Sequence, residues 1–165
     1  MVHLDLKKVW KIHDGDGRRD HGHGTTAAKV AKRGSGARIG YAYVHTAIDG
    51  FSRLASTEVL EDEEAATTVG FFAHARSFFA PHGIRRLYRV VTDNGANYRA
   101  KDCTRTAEFL ASKHQRIRAY TPQQNGKAER FGRLLVDEVL YTRTYANEQA
   151  RRSVIGTLGK SLQLL

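Results

Sequence analysis

Three carboxylates in this chain stand where chemistry is possible. Asp93 follows the largely apolar run Tyr88 to Val91 in the stretch YRVVTDNGANY, so its side chain is expected at the exposed end of a buried strand. Asp5 interrupts the alternating segment VHLDLKK, although aspartate is depleted within strands. Glu129 lies in NGKAERF, in the first turn of a segment with helical spacing, 36 positions after Asp93 (129 − 93). A carboxylate at a strand end is able to hold a hard cation through oxygen. Each acid also has a plainer reading. Asp93 begins an Asn-Gly turn, the strongest short hairpin signal. Glu129 complements the macrodipole of its helix, and an exposed edge strand tolerates Asp5.

The elements around them decide between these readings. Residues 2–9 predict a strand, with Val2, Leu4 and Leu6 alternating against His3, Asp5 and Lys7. Residues 13–36 are rich in Gly and basic side chains and read as a long excursion between strands. Residues 38–48 form a second strand, DGFSR at 49–53 a turn, and 54–60 a third strand. The acids Glu61 to Glu64 precede a helix over about 63–80, placed to complement its dipole. Ala65, Val69, Phe72, Ala73 and Phe79 fall near helical spacing, and Pro81 and Gly83 stop it. A fourth strand ends at Asp93, followed by a helix at 101–113 and a fifth strand at 115–120. After the loop TPQQNG a helix runs over 127–142, with Ala128, Phe131, Leu135 and Val139 on one face. The final RRSVIGTLGKSLQLL shows no clear partner pattern.

Three opening strands suggest an antiparallel meander, and helical crossovers then add parallel strands. The expected class is α/β: a five-stranded mixed sheet with helices on both faces. Placing the fourth strand beside the first makes Asp5 and Asp93 neighbours.

The chain of 165 residues suits one domain and has no internal repeat. No apolar run approaches the roughly 20 residues of a membrane span, and MVHLDLKKVW lacks a signal-peptide block, which predicts an intracellular, cytoplasmic protein. A single cysteine, Cys103, excludes an internal disulfide or a cysteine-rich zinc module. His3, His21, His23 and His45 have neither helical spacing nor cysteine partners for zinc. Lys and Arg number 27 against 17 Asp and Glu, a formal charge of +10 that favours a polyanion, most simply nucleic acid.

HLDLKK, TDNGANY and PQQNGKAERF resemble the three acid-bearing blocks of the DDE superfamily, the retroviral integrases and bacterial insertion-sequence transposases. AIDGFSRLA at 47–55 is similar to the second-strand block of the bacterial members. The resemblance covers residues 1 to about 142 and rests on block order together with the final spacing. It implies a ribonuclease H-like fold, no membrane association, and a polynucleotidyl transferase that cuts DNA at element ends and joins the 3′ hydroxyl to target DNA. Two Mg²⁺ or Mn²⁺ ions stabilise charge on attacking and leaving oxygens in such chemistry. Asp5 would bridge the ions, with Asp93 and Glu129 completing one shell each. The rival first acid, Asp49, precedes Gly50 and reads as a turn former.

Near the acids, Asn94, Asn97, Gln123, Gln124, Asn125 and Lys127 either contact phosphates and bases or line a solvated loop; Arg130 and Arg133 continue the track. The basic side chains Arg18, Arg19, Lys29, Lys32, Arg33 and Arg38 either clamp DNA or form a solvated run. Relatives act as homo-oligomers on DNA, in bacteria within the nucleoid. The chain departs from them in starting at the catalytic strand and in lacking a Tyr-Asn or Arg-Pro-His block after the glutamate helix. It is expected to comprise a core at 1–145 and a truncated C-terminal segment at 146–165. A ribonuclease H-like nuclease that only hydrolyses, and an inactive DNA-binding remnant, are the competing functions.

Overall fold

A computed structural model describes residues 1–12, 40–118, 121, 125–140 and 145–158. The excursion at 13–36 with its basic side chains, and Gln123 and Gln124, lie outside the described residues. The strands are β1 (Val2–Trp10), β2 (Tyr41–Asp49), β3 (Ala55–Leu60), β4 (Val90–Thr92) and β5 (His114–Arg116). The helices are α1 (Ala65–Phe79), α2 (Ala96–Arg99), α3 (Lys101–Leu110), α4 (Gly126–Leu134) and α5 (Glu148–Leu158). α4 runs on into a π-helical stretch, Leu135–Leu140. None of these described helices is long and apolar enough to cross a membrane.

The sheet order is β3-β2-β1-β4-β5, with β1, β2 and β3 antiparallel and β4 and β5 added in parallel. This is the mixed sheet the sequence predicts, with β1 at its centre. Alternation along β1 sends Val2 and Leu4 to one face, where they pack with Phe71, Phe72, Ala75 and Phe79 of α1 and Cys103 and Ala107 of α3. Val9 goes to the other face, joining Ala42 and Val44 against Leu135, Val139 and Leu140 of the α4 continuation and Ile155 of α5. Ala128 and Phe131 seat α4 on Ile48 and Ala55. The predicted face of this helix is therefore the one that is buried.

Besides the unpredicted short α2 and the earlier ends of α3 and β5, two differences bear on packing. In α1 the buried residues are Thr68, Phe71, Phe72, Ala75 and Phe79, while Ala73 is exposed. Apolar side chains ring much of this helix, so periodicity alone does not choose the face; the sheet selects the one carrying two adjacent phenylalanines and a small Ala75. The second difference is α5, within the segment that showed no partner pattern. It is held by Ile155 and by Arg151, which is only 2% exposed yet charged. Arg151 Nη2 lies 2.7 Å from Glu148 Oε2, the same oxygen that accepts from the Ile12 backbone N–H at 3.1 Å. Glu61 pairs with both Arg152 and Lys11, tying α5 to the ends of β3 and β1. A buried arginine reads as a polar face in sequence, which hides the helix.

Replacing Glu148 with Gln leaves the buried Arg151 charge without its counter-ion. The expected loss is about 3 kcal/mol, read as a lowered urea midpoint with unchanged m-value.

Candidate active site

β1 places Asp5 in the middle of the sheet, on the face that packs α4. Its carboxylate is buried, and Oδ2 is sealed from solvent with no hydrogen-bond partner. Lys7 Nζ, 3.8 Å away, is within ion-pair but not hydrogen-bond reach. Burial drives the Asp5 pKa up; Lys7 opposes this, and Asp93 and Glu129 both add to the rise, leaving it at about 6 against an ordinary 3.8. The two other predicted acids thus already act on Asp5 through space.

The topology explains why. β1 and β4 pair in parallel with His3 opposite Val91, and two residues further on the same register sets Asp5 level with Asp93. Asp93 is half-buried, and its Oδ1 accepts the Gly95 N–H at 2.7 Å. The Asn-Gly hairpin does not form: Gly95 has φ −53° and precedes α2 instead of turning back into a strand. The loop is tight there: a Cβ added at Gly95 would stand 2.6 Å from Asn97 Oδ1 and 3.0 Å from Asp93 Oδ1, so the Asn97 side chain would have to move. Beneath the site Tyr98 is buried, and that burial, with Asp93 and Asp5 nearby, raises its pKa well above the usual phenol.

Glu129 is half-buried in the first turn of α4. Three residues on, Gly132 passes so close to β1 that a Cβ would lie 3.1 Å from both Asp5 Oδ2 and Lys7 Cε. Positions 129 and 132 share one side of the helix, so the side bearing Glu129 is the side facing Asp5. The contacts stop short of a ligand shell. Among the described residues no three His, Cys, Asp or Glu side chains are gathered closely enough to hold a metal. Asp93 is turned onto its own loop, and Lys7 supplies the cation nearest Asp5. Even so, the donors are hard oxygens, and a buried carboxylate with one oxygen left without a hydrogen bond and two other acids acting on it is what a divalent cation relieves. The residues fit such an ion.

Asn125 is the residue that departs furthest from its expected role. It is 1% exposed, its Nδ2 donates to the Leu4 carbonyl at 3.0 Å, and its Oδ1 meets His3 Nδ1 at 3.2 Å. It fastens the start of α4 to β1 and presents no free amide to a DNA strand. Lys127 is exposed, with Nζ donating to the Gly50 carbonyl, a second tie from α4 to the β2–β3 turn. Asn94 Nδ2 donates to the Ile117 carbonyl at 3.0 Å, and Asn97 Nδ2 to Thr68 Oγ1 at 3.0 Å. Arg130 and Arg133 are exposed and line a groove with Gly126, Glu129, Leu134 and Asp137.

The rival acid Asp49 is committed to its turn. Its Oδ2 accepts from Phe51 N, Ser52 N and Ser52 Oγ at 3.1, 2.7 and 2.9 Å. Burial alone would raise its pKa, but the Ser52 donors outweigh that and hold it low. His3 and His45 are buried, which lowers both pKa values, and His45 Nε2 pairs with the Asp62 carbonyl. Sequence reasoning missed Lys7 and Gly132. The first had a signal in its spacing of two from Asp5, on the same strand face; the glycine had none short of knowing how closely α4 approaches.

A five-stranded sheet in this order, with acids on β1, after β4 and on α4, defines a ribonuclease H-like core. The chain belongs to the integrase core domain family, which matches residues 19–122, a span including Asp93 but neither Asp5 nor Glu129. No curated protein sequence matches. Among solved structures, a chain of the simian T-cell lymphotropic virus intasome in complex with PP2A regulatory subunit B56 gamma superposes with TM-score 0.64 at 18% identity over 99% of this chain and 49% of that one. The HTLV-2 integrase catalytic core domain in complex with magnesium gives TM-score 0.56 at 15% identity, covering 99% of this chain and 86% of the other. The BIV integrase catalytic core gives 0.50 at 20% identity, over 75% and 79%. At such identities the likeness is one of fold, and the chain spans about half the length of the simian viral one.

Two outcomes are expected. Because the folded protein holds the Asp5 proton more tightly than the unfolded chain, this group stabilises below pH 3.8 and the contribution is lost as pH rises through about 6. In chelator, Asp5→Asn should therefore match the native protein near pH 4 and exceed it by about 3 kcal/mol near pH 7, read from urea denaturation across that range. Asn125→Ala should cost about 2 kcal/mol by stranding His3 and the Leu4 carbonyl, and hydrogen exchange should rise at the start of α4.

Proposed function

We propose that this chain is the catalytic core of a bacterial insertion-sequence transposase, cutting DNA at element ends and joining the exposed 3′ hydroxyl to target DNA. The observation that carries the reading is the buried, unpartnered Asp5 oxygen on the central strand, under electrostatic pressure from Asp93 and Glu129. Family membership and the AIDGFSRLA block support it. Asp5, Asp93 and Glu129 would hold two Mg²⁺ or Mn²⁺ ions, the metal choice being supported by the magnesium of the HTLV-2 core. Bound there, the ions supply charge neutralisation for the attacking and leaving oxygens of phosphodiester exchange.

The chain's own groups do the rest. Burial raises the Asp5 pKa to about 6, so below that pH a proton competes with a cation for its oxygens. Lys7 screens Asp5 while the acids stand alone. Arg130 and Arg133, beside Glu129, and Lys127 hold backbone phosphates, with Asn94 and Asn97 contributing from the loop after β4. Water is the nucleophile in cutting and the DNA hydroxyl in joining. The protein works as a homo-oligomer that brings DNA ends together, a reading supported by the fold it shares with a chain of the simian T-cell lymphotropic virus intasome.

The test is Mn²⁺ calorimetry paired with nicking and joining of supercoiled plasmid. Asp5→Asn, Asp93→Asn and Glu129→Gln should each weaken Mn²⁺ binding at least about tenfold and abolish metal-dependent nicking, while folded Asp49→Asn does neither. Nicking that never yields joined products would mark a hydrolytic nuclease. Salt-sensitive DNA binding with no metal-dependent turnover would mark an inactive remnant.

A further inference from the structure

A second cationic surface lies away from the carboxylates, and none of the site residues uses it. Behind α1, Gly83 adopts φ +85° and ends the helix, with Ile84 N donating to the Phe79 carbonyl at 3.1 Å. The strap that follows, Ile84 to Arg89, is fixed by a parallel bridge between Leu87 and Ala111 and by Ser112 N donating to the Leu87 carbonyl at 2.9 Å. Between this strap, α1 and the end of α3 runs an open groove of about 310 Å³, lined by Arg76, Arg85 and Arg86 and closed by Glu108 and Phe109. All three arginines are exposed, and none is in an ion pair among the described residues. Among the described residues Glu108 is the one acid lining the groove.

Aromatic faces accompany the charge. Phe109 is 87% exposed, and the Arg86 guanidinium sits 5.1 Å from the centre of the exposed Tyr88 ring. Arginines interleaved with open aromatic rings on a rigid frame are a nucleic-acid-binding combination. A second copy bringing the same three arginines would meet repulsion. Position matters as much as chemistry. α1 and α3 cover the sheet face opposite α4, and Leu87 precedes β4 whereas Asp93 follows it, six residues later (93 − 87), or about 20 Å of extended chain. One DNA segment lying at Glu129 does not reach this groove without wrapping around the sheet edge.

We propose that the Arg76–Arg85–Arg86 groove is a second DNA-binding surface, gripping the phosphate backbone of a duplex distinct from the one at the carboxylates. That the reaction has two such DNA segments rests on the function proposed above; the groove's affinity for DNA does not. The experiment is fluorescence anisotropy of a labelled duplex in EDTA over a salt series, so that no turnover is involved. The variants are the folded triple substitution Arg76→Ala, Arg85→Ala, Arg86→Ala, the corresponding triple lysine variant, and Arg130→Ala with Arg133→Ala. The triple alanine variant should bind about tenfold or more weakly and lower the slope of log K against log salt by about 2 to 3, while the lysine variant keeps the slope. Adding the Arg130 and Arg133 substitutions should lower the slope further. An unchanged slope in the triple alanine variant overturns the proposal. So does polyglutamate binding the native groove as tightly as DNA, which would assign it to an acidic protein. A change in sedimentation of the triple variant without DNA would assign it to a second copy of the chain and equally overturn it. Loss of plasmid nicking with the groove's DNA affinity intact would leave this inference standing and the catalytic reading refuted.

Discussion

A carboxylate sealed into the central strand governs the rest of this molecule. Asp5 lies where a sheet would ordinarily bury an aliphatic side chain, and one of its oxygens has no partner. Taking a charge out of water without full compensation is among the costliest things a fold does. The protein meets that cost by moving the pKa toward neutrality and by keeping one lysine at ion-pair distance. Placing two further acids near it raises the cost, which makes no sense as a device for stability. Under the proposed function it is coherent as preparation for a counter-charge that arrives from outside.

That preparation depends on how α4 is registered against β1. Asn125 fixes its start on the Leu4 carbonyl, Lys127 fixes it on the Gly50 carbonyl, and Phe131 fills the space over Ile48 and Ala55. Between these anchors Gly132 lets the helix approach until an added Cβ would press on Asp5 Oδ2 and Lys7 Cε at 3.1 Å. Glu129 inherits its position from all of them. The polar ties set where the helix begins, and the apolar contacts set how it is rotated; either set alone leaves one degree of freedom open.

Much of this was legible in the sequence, and unevenly. The strand order followed from alternation in residues 2–9 and from crossover rules, because both rest on local periodicity and chain connectivity. The placement of Asp5 beside Asp93 was legible because aspartate inside a strand and aspartate closing an apolar run are each odd for their setting, and the predicted strand order sets them level. Asn125 was misjudged: a polar residue in a Gln- and Gly-rich loop looks solvated, and only its amide's fit between His3 and Leu4 makes it an anchor. The face of α1 was blurred by apolar residues on several sides, and α5 was hidden by Arg151, whose burial depends on Glu148 being one turn away. These failures share a cause. Each residue's role is set by a partner distant in sequence or by a pairing that composition does not reveal.

The order of the sheet also bears on how the molecule comes into being. β1 takes β2 on one side early in the chain, but its other side stays open until β4 arrives, and α4 comes later still. Long-range parallel pairing of this kind closes large loops and is slow. Asp5, Asp93 and Glu129 therefore come together only when the last of these elements docks, and a nascent or proteolysed fragment ending before α4 lacks the helix that carries Glu129. Under the proposed function, splitting the three across the chain makes completeness of the fold a built-in safety catch.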